Sequence, residues 1–185
     1  MALTDKLGNI ADAIREKTGS TGSFTLDAMP SAIRSIETGG GSSGGDNALL
    51  RSVVDGSVTA IAASDLAGIK TVKKSAFEMC SYLETVELPS GVTSIDDKAF
   101  SGCQRLKTVI LPNSVKTIGA EAFNMDMSLE SITLGTGLTT IYAGAFQYCM
   151  KLKDVYYRGT QEQWAAISKY ADNTELTNAT IHYNS

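Results

Sequence analysis

Ala99-Phe100-Ser101-Gly102-Cys103-Gln104-Arg105-Leu106-Lys107-Thr108-Val109-Ile110-Leu111-Pro112-Asn113-Ser114-Val115-Lys116-Thr117-Ile118 decides the fold, because its apolar residues return at a fixed interval along the chain. Phe77, Phe100, Phe123 and Phe146 are spaced by 23 residues, each preceded by an alanine: Ala76, Ala99, Ala122 and Ala145. Six positions after each Phe stand Leu83, Leu106, Leu129 and Leu152. Val86, Val109, Ile132 and Val155 come next, then Leu88, Leu111 and Leu134. Val92, Val115 and Leu138, then Ile95, Ile118 and Ile141, complete the register. A period of this length marks a stacked coil, whose inward stripe is buried only by its neighbours. Leu83 to Leu88 and Leu106 to Leu111 read as short strands ended by Pro89 and Pro112, and Val92 to Ile95 as a second extended piece. The stretch before each Ala-Phe, such as Asp96-Asp97-Lys98, fits a helical turn on the opposite side.

Working outward, residues 49–75 read as a degenerate first coil, since Ile69 and Val72 precede Val92 and Ile95 by one period. At the other end, Thr160-Gln161-Glu162-Gln163 is a capping-box pattern that opens a helix through Trp164 and Ile167. Residues 179–183 return as a strand, and Trp164 is placed to plug the open core. Cys80, Cys103 and Cys149 share one repeat position, filled by Asp126 in the remaining coil. That predicts a column of small buried thiols, not a disulfide framework. Asp126 is expected near the core edge, accepting backbone hydrogen bonds.

The motif Ala-Phe-x-x-Cys-x-x-Leu-x-x-Val-x-Leu-Pro-x-x-Val-x-x-Ile resembles the BspA-type leucine-rich repeat of bacteria over roughly residues 50–160. Tyr157 to Trp164 and Thr177 to Tyr183 resemble the terminal cap of that family. The resemblance implies an adhesive or recognition protein, often at a cell surface. The expected fold is α+β: a short right-handed leucine-rich-repeat solenoid of 23-residue coils with parallel β ladders and a C-terminal helix–strand cap, preceded by a small helical hairpin.

The hairpin is residues 1–37. Leu3, Leu7, Ile10 and Ile14 form one helical stripe, and Leu26, Met29, Ile33 and Ile36 a second. So small a unit needs oligomerisation or a partner to be stable, unless it folds back on the repeats. Ile10 to Gly19 and Met29 to Ile36 look like a module found at the front of phage and prophage structural proteins of Gram-positive bacteria. That resemblance implies anchoring to other virion proteins through residues 1–37, as a homo-oligomer, with a trimer favoured by analogy to projecting fibres. Residues 38–47 are a Gly/Ser linker, and residues 48–185 form the repeat domain with its caps.

Function classes narrow by composition. A net charge of −4 without a basic stripe argues against nucleic acid. No apolar run approaches the roughly 20 residues of a membrane span. The N-terminus lacks a signal-peptide pattern, so release by lysis within a virion fits better than ordinary export; a bacterial cell-surface adhesion module is the alternative. No catalytic motif, metal-ligand set or cofactor site is visible, and the single His182 reads as structural. The chain is expected to be no enzyme and to need no cofactor. Its binding residues are expected on the outward positions of the main strand: Thr85 and Glu87, Thr108 and Ile110, Ser131 and Thr133, Asp154 and Tyr156. They would meet a host cell-surface protein or polysaccharide. Glu84, Lys107, Glu130 and Lys153 alternate in sign on successive coils and are expected to pair across the ladder.

Overall fold

The computed structural model describes Val53 and residues 56–184. The helical stripes of residues 1–37, the expected oligomer and the linker at 38–47 therefore lie outside the described residues.

Each coil contributes one strand to each of two parallel sheets. The main sheet takes β1 (Ala60–Ile61), β3 (Thr85–Glu87), β5 (Thr108–Ile110), β7 (Ser131–Leu134), β9 (Asp154–Tyr157) and β11 (Thr180–Tyr183), in that spatial order. The second sheet takes β2 (Thr71–Val72), β4 (Ser94–Ile95), β6 (Thr117–Ile118), β8 (Thr140–Ile141) and β10 (Ser168–Lys169). Register follows the 23-residue period: Val86 pairs Val109, Val109 pairs Ile132, and Ile132 pairs Val155. β3 and β5 are shorter than their apolar runs, stopping before Leu88 and Leu111, whereas β7 includes Leu134.

Every inward position named from the period is buried in all its coils except Ala76. Ala76 is half-buried. The four phenylalanine rings stack in a column, with centroids 5.2, 5.3 and 5.3 Å apart.

The expected helical turn before each Phe is instead a pair of tight turns. Ala99 N–H donates to Asp96 O and Ser101 N–H to Lys98 O, each closing a four-residue turn. Two positions per coil are left-handed: Ser75, Lys98, Glu121 and Gly144, then Met79, Gly102, Met125 and Tyr148. Such backbone costs a side-chain-bearing residue about 1–2 kcal/mol. In return, alternate N–H groups point along the solenoid axis: Lys98, Phe100 and Gly102 donate to the carbonyls of Ala120, Ala122 and Asn124. This third ladder holds the turn side of the stack together. At Gly102 glycine suits the left-handed dihedral, and a Cβ there would meet only the exposed end of Met79, which can swing aside.

The cysteine column is present, with all three thiols buried and free. Cys103 Sγ donates to Phe77 O and Cys149 Sγ to Phe123 O, both at 3.1 Å. Burial pushes the Cys80 thiol up to about 12. Asp126 is not at the core edge but fully enclosed. Its Oδ1 accepts from Cys103 N–H at 2.7 Å, while Oδ2 has no partner among the described residues. Burial raises this carboxyl well above the ordinary range, more than the N–H groups of Cys103 and Gly102 draw it back.

That placement makes stability depend on pH. With a folded pKa above the unfolded value of about 4, the Asp126 contribution is fully present below pH 4. It is lost as pH rises toward the folded value, because the unfolded chain releases the proton first. Asp126→Cys, which restores the column, is expected to stabilise the protein by about 1–3 kcal/mol at neutral pH by removing an unsatisfied buried oxygen. Urea melts from pH 4 to 8 check this: the gap between the two proteins should widen with pH. A constant or narrowing gap would show that Asp126 is not strained by burial.

The C-terminal cap contains the expected capping box. Thr160 Oγ1 accepts from Gln163 N–H, Gln163 Oε1 accepts from Thr160 N–H, and α1 (Gln161–Ala166) follows. Trp164 packs on Tyr157, with ring centroids 5.4 Å apart. Lys169 Nζ closes the helix end, donating to Trp164 O at 2.6 Å and Ile167 O at 3.2 Å; desolvation lowers its pKa. A second helix absent from the sequence reading, α2 (Thr174–Asn178), precedes β11. Just before and within it, side chains finish the third ladder. Gly144 N–H still reaches a carbonyl, that of Ala171. Phe146 N–H donates instead to Asn173 Oδ1 at 3.0 Å, and Tyr148 N–H to Glu175 Oε1 at 2.9 Å. The cap thus replaces the carbonyls of a missing coil with an amide and a carboxylate.

Candidate recognition face

Main-strand side chains alternate, one inward and one outward. The inward ones fill the core. The outward ones form two columns through the ladder register: Thr85, Thr108, Ser131, Asp154 and Thr180, then Glu87, Ile110, Thr133, Tyr156 and His182. All eight expected binding residues lie on this one face, partly or fully exposed.

Relief on the face is greatest at its C-terminal end. Tyr156 stacks on His182 with centroids 4.7 Å apart and planes within 16°. His182 Nε2 lies 2.8 Å from Asp154 Oδ1, so two strands hold the three side chains as one wall. The preceding strand presents only Ser131 and Thr133. The step from small to aromatic leaves a shallow depression of about 420 Å³, lined by Glu130, Ser131, Lys151, Lys153, Asp154 and Tyr156. Sequence reasoning placed Ser131, Asp154 and Tyr156 on the face, treated Glu130 and Lys153 as a charge column, left Lys151 aside and read His182 as structural.

The charge column pairs only in its first half. Lys107 Nζ donates to Glu84 Oε2 at 2.8 Å, and this contact lowers the Glu84 pKa. Glu130 and Lys153 occupy adjacent coils in the same register, yet form no ion pair among the described residues. A second cross-coil pair that the sequence reading missed joins Lys98 and Glu121 at 3.2 Å. Because the Glu84–Lys107 pair is solvent-exposed, Lys107→Glu is expected to lower stability only slightly. The loss should be measurable in low salt and vanish in high salt; a loss that persists in high salt would point to packing of the Lys107 stem.

Beside this face, on the edge between the turns and the main sheet, Met79, Tyr82, Met125, Met127, Tyr148 and Met150 are exposed. The sequence held a signal for them: Met79, Met125 and Tyr148 share one repeat position, as do Met127 and Met150. They fall outside the inward classes, so they carry no core assignment.

Among the described residues, no group of three or more His, Cys, Asp or Glu side chains is placed to hold a metal ion. None of the described helices is long and apolar enough to cross a membrane. Stacked coils, two parallel sheets and an outward polar–aromatic face define a leucine-rich-repeat solenoid. The chain belongs to the BspA type leucine rich repeat region family, six copies of which match residues 58–184.

Among solved structures, the Treponema pallidum leucine-rich-repeat protein TpLRR is similar at 23% identity and a TM-score of 0.54, over 69% of this chain and 70% of that one. That likeness concerns the fold. A leucine-rich cell surface protein from Faecalibacterium prausnitzii is 26% identical with a TM-score of 0.44, over 59% of this chain and 34% of that one. A leucine-rich-repeat protein from Bacteroides ovatus is 30% identical with a TM-score of 0.37, over 52% of this chain and 30% of that one. This chain therefore spans about a third of the length of the last two. No curated protein matches the chain.

Proposed function

We propose that this protein is a non-catalytic recognition module of a bacterial cell surface, holding its ligand on the outward face of the main sheet. The observation that carries the reading is that face itself: two exposed columns, threonine-rich at one end and built of Asp154, Tyr156 and His182 at the other. Membership of a family whose repeats serve adhesion and recognition supports it. The core-facing groups suit packing; the buried thiols, pushed up by desolvation, are poor nucleophiles.

A second reading, a phage or prophage virion protein anchored by residues 1–37 as an oligomer, rests only on the resemblance of Ile10 to Gly19 and Met29 to Ile36 to a module of such proteins. Peptide mass spectrometry of density-purified virions against washed cells separates the two readings.

The face is tested by substitution. Fluorescently labelled full chain should bind cells within a panel of washed Gram-positive and Gram-negative bacteria. Ile110→Ser with Tyr156→Ser is expected to weaken that binding by about tenfold, or 1.4 kcal/mol, with the melting temperature essentially unchanged. Unchanged binding would rule out this face.

A further inference from the structure

We infer that the depression beside Tyr156 takes a carboxylated sugar, such as a uronate unit of a surface polysaccharide. The inference rests on the reading of the outward face as a recognition surface and adds the ligand class.

Three observations carry it. First, the lysines there form no ion pair among the described residues. In earlier coils Lys107 and Lys98 each meet a carboxylate, at 2.8 and 3.2 Å. Lys151 and Lys153 are exposed, line the depression, and have no ion-pair partner among the described residues. Two cations on one rim favour an anionic group, and an ammonium engages a carboxylate as a point charge.

Second, the same rim holds Glu130 and Asp154. Two carboxylates beside two ammonium groups disfavour a dense polyanion such as a phosphodiester chain, as does the net charge of −4. They suit a ligand with one negative charge and several neutral hydroxyls, which donate to carboxylate oxygens. Asp154 Oδ1 is engaged by His182, which orients the group and leaves Oδ2 for a hydroxyl.

Third, the wall is an aromatic ring held flat. Tyr156 is stacked on His182 on one side. The depression draws its other residues from the coils of β7 and β9 and none from β11, so it meets Tyr156 on a side away from His182. The C–H face of a pyranose packs on such a ring, while the open depression does not enclose a peptide side chain. Exposed charges in a shallow site bind weakly one at a time, and a repeating polymer recovers affinity through effective concentration.

The test is an NMR titration of the full chain with glucuronic acid, glucose and inorganic phosphate, followed by an oligosaccharide of alternating glucuronic acid and N-acetylglucosamine. Glucuronic acid should move the amide signals of Lys151, Lys153 and Tyr156, while glucose and phosphate at matched concentration should not. Lys153→Met should weaken the oligosaccharide by about tenfold, whereas Lys107→Met, which removes a lysine already paired with Glu84, should leave it unchanged. Equal responses to glucose or to phosphate would overturn the assignment, reducing the site to a neutral-sugar or simple anion site. So would absence of any response. If labelled chain binds cells but glucuronic acid oligosaccharide neither binds nor competes, the ligand class fails and the recognition reading stands. If the oligosaccharide binds at these residues but no cell is bound, the ligand class stands and recognition of bacterial cells through this face fails.

Discussion

Phe100→Ala is expected to destabilise the protein by about 3–5 kcal/mol, the range for removing a fully buried aromatic from a core that relaxes only partly. Phe100 has no exposed surface and sits between two rings, with centroids 5.2 Å from Phe77 and 5.3 Å from Phe123. Truncation opens a cavity inside the stack and breaks both ring contacts. Phe123→Ala should cost as much for the same reason, whereas Phe77→Ala should cost less, since its ring has one neighbour and slight exposure. Each coil buries its stripe only against adjacent coils, so a cavity mid-stack weakens both halves together. Urea melts followed by circular dichroism measure the effect. A loss below about 1 kcal/mol at Phe100 would mean that the ring column is not the centre of the core.

Asn173→Ala is expected to cost about 2–4 kcal/mol, several times a typical surface substitution. The side chain is almost wholly buried and all its hydrogen-bonding capacity is directed inward. Oδ1 accepts from Phe146 N–H at 3.0 Å, and Nδ2 donates to the carbonyls of Tyr142, Tyr170 and Ala171. Alanine leaves the Phe146 ladder N–H without its partner and removes the Nδ2 donor that ties together the carbonyls of Tyr142, Tyr170 and Ala171. Asn173→Asp keeps an acceptor for Phe146 but sets a carboxylate against three carbonyls, so it too should destabilise, and increasingly above the carboxyl's pKa. Hydrogen exchange distinguishes this role from simple packing. Loss of the cap should speed exchange first at Phe146 and Tyr148, then toward Phe123, while the β1 end keeps its protection. Uniform acceleration along the stack would contradict a terminal cap.

The coil was legible because its causes are repeated. Phe, Leu, Val and Ile at one interval can all be buried only if successive coils lie in register, so the periodicity of residues 76–155 implied the core and the cysteine column. The capping box at Thr160 and Gln163 was legible because both partners are local. Asp126 was legible as an exception to the cysteine column, though its depth was not: a carboxylate reads as an edge group until packing around it is known.

What the sequence by itself determined is the repeat length, the inward stripe and the face on which Thr85 to Tyr156 lie, because these follow from side-chain alternation and apolar burial. Only the tertiary structure decided the rest. Lys98, Glu121, Met125 and Tyr148 have no chemical preference for left-handed backbone; they adopt it because the third ladder needs their N–H groups aimed along the stack. Asn173 and Glu175 become cap acceptors only because the fold ends there, with partners 27 residues away. Glu84–Lys107 and Glu130–Lys153 are the same pair in sequence, yet one closes and the other stays open. Exposed side chains of that length are placed by their immediate neighbours, and around the open pair the depression also brings Ser131, Lys151, Asp154 and Tyr156.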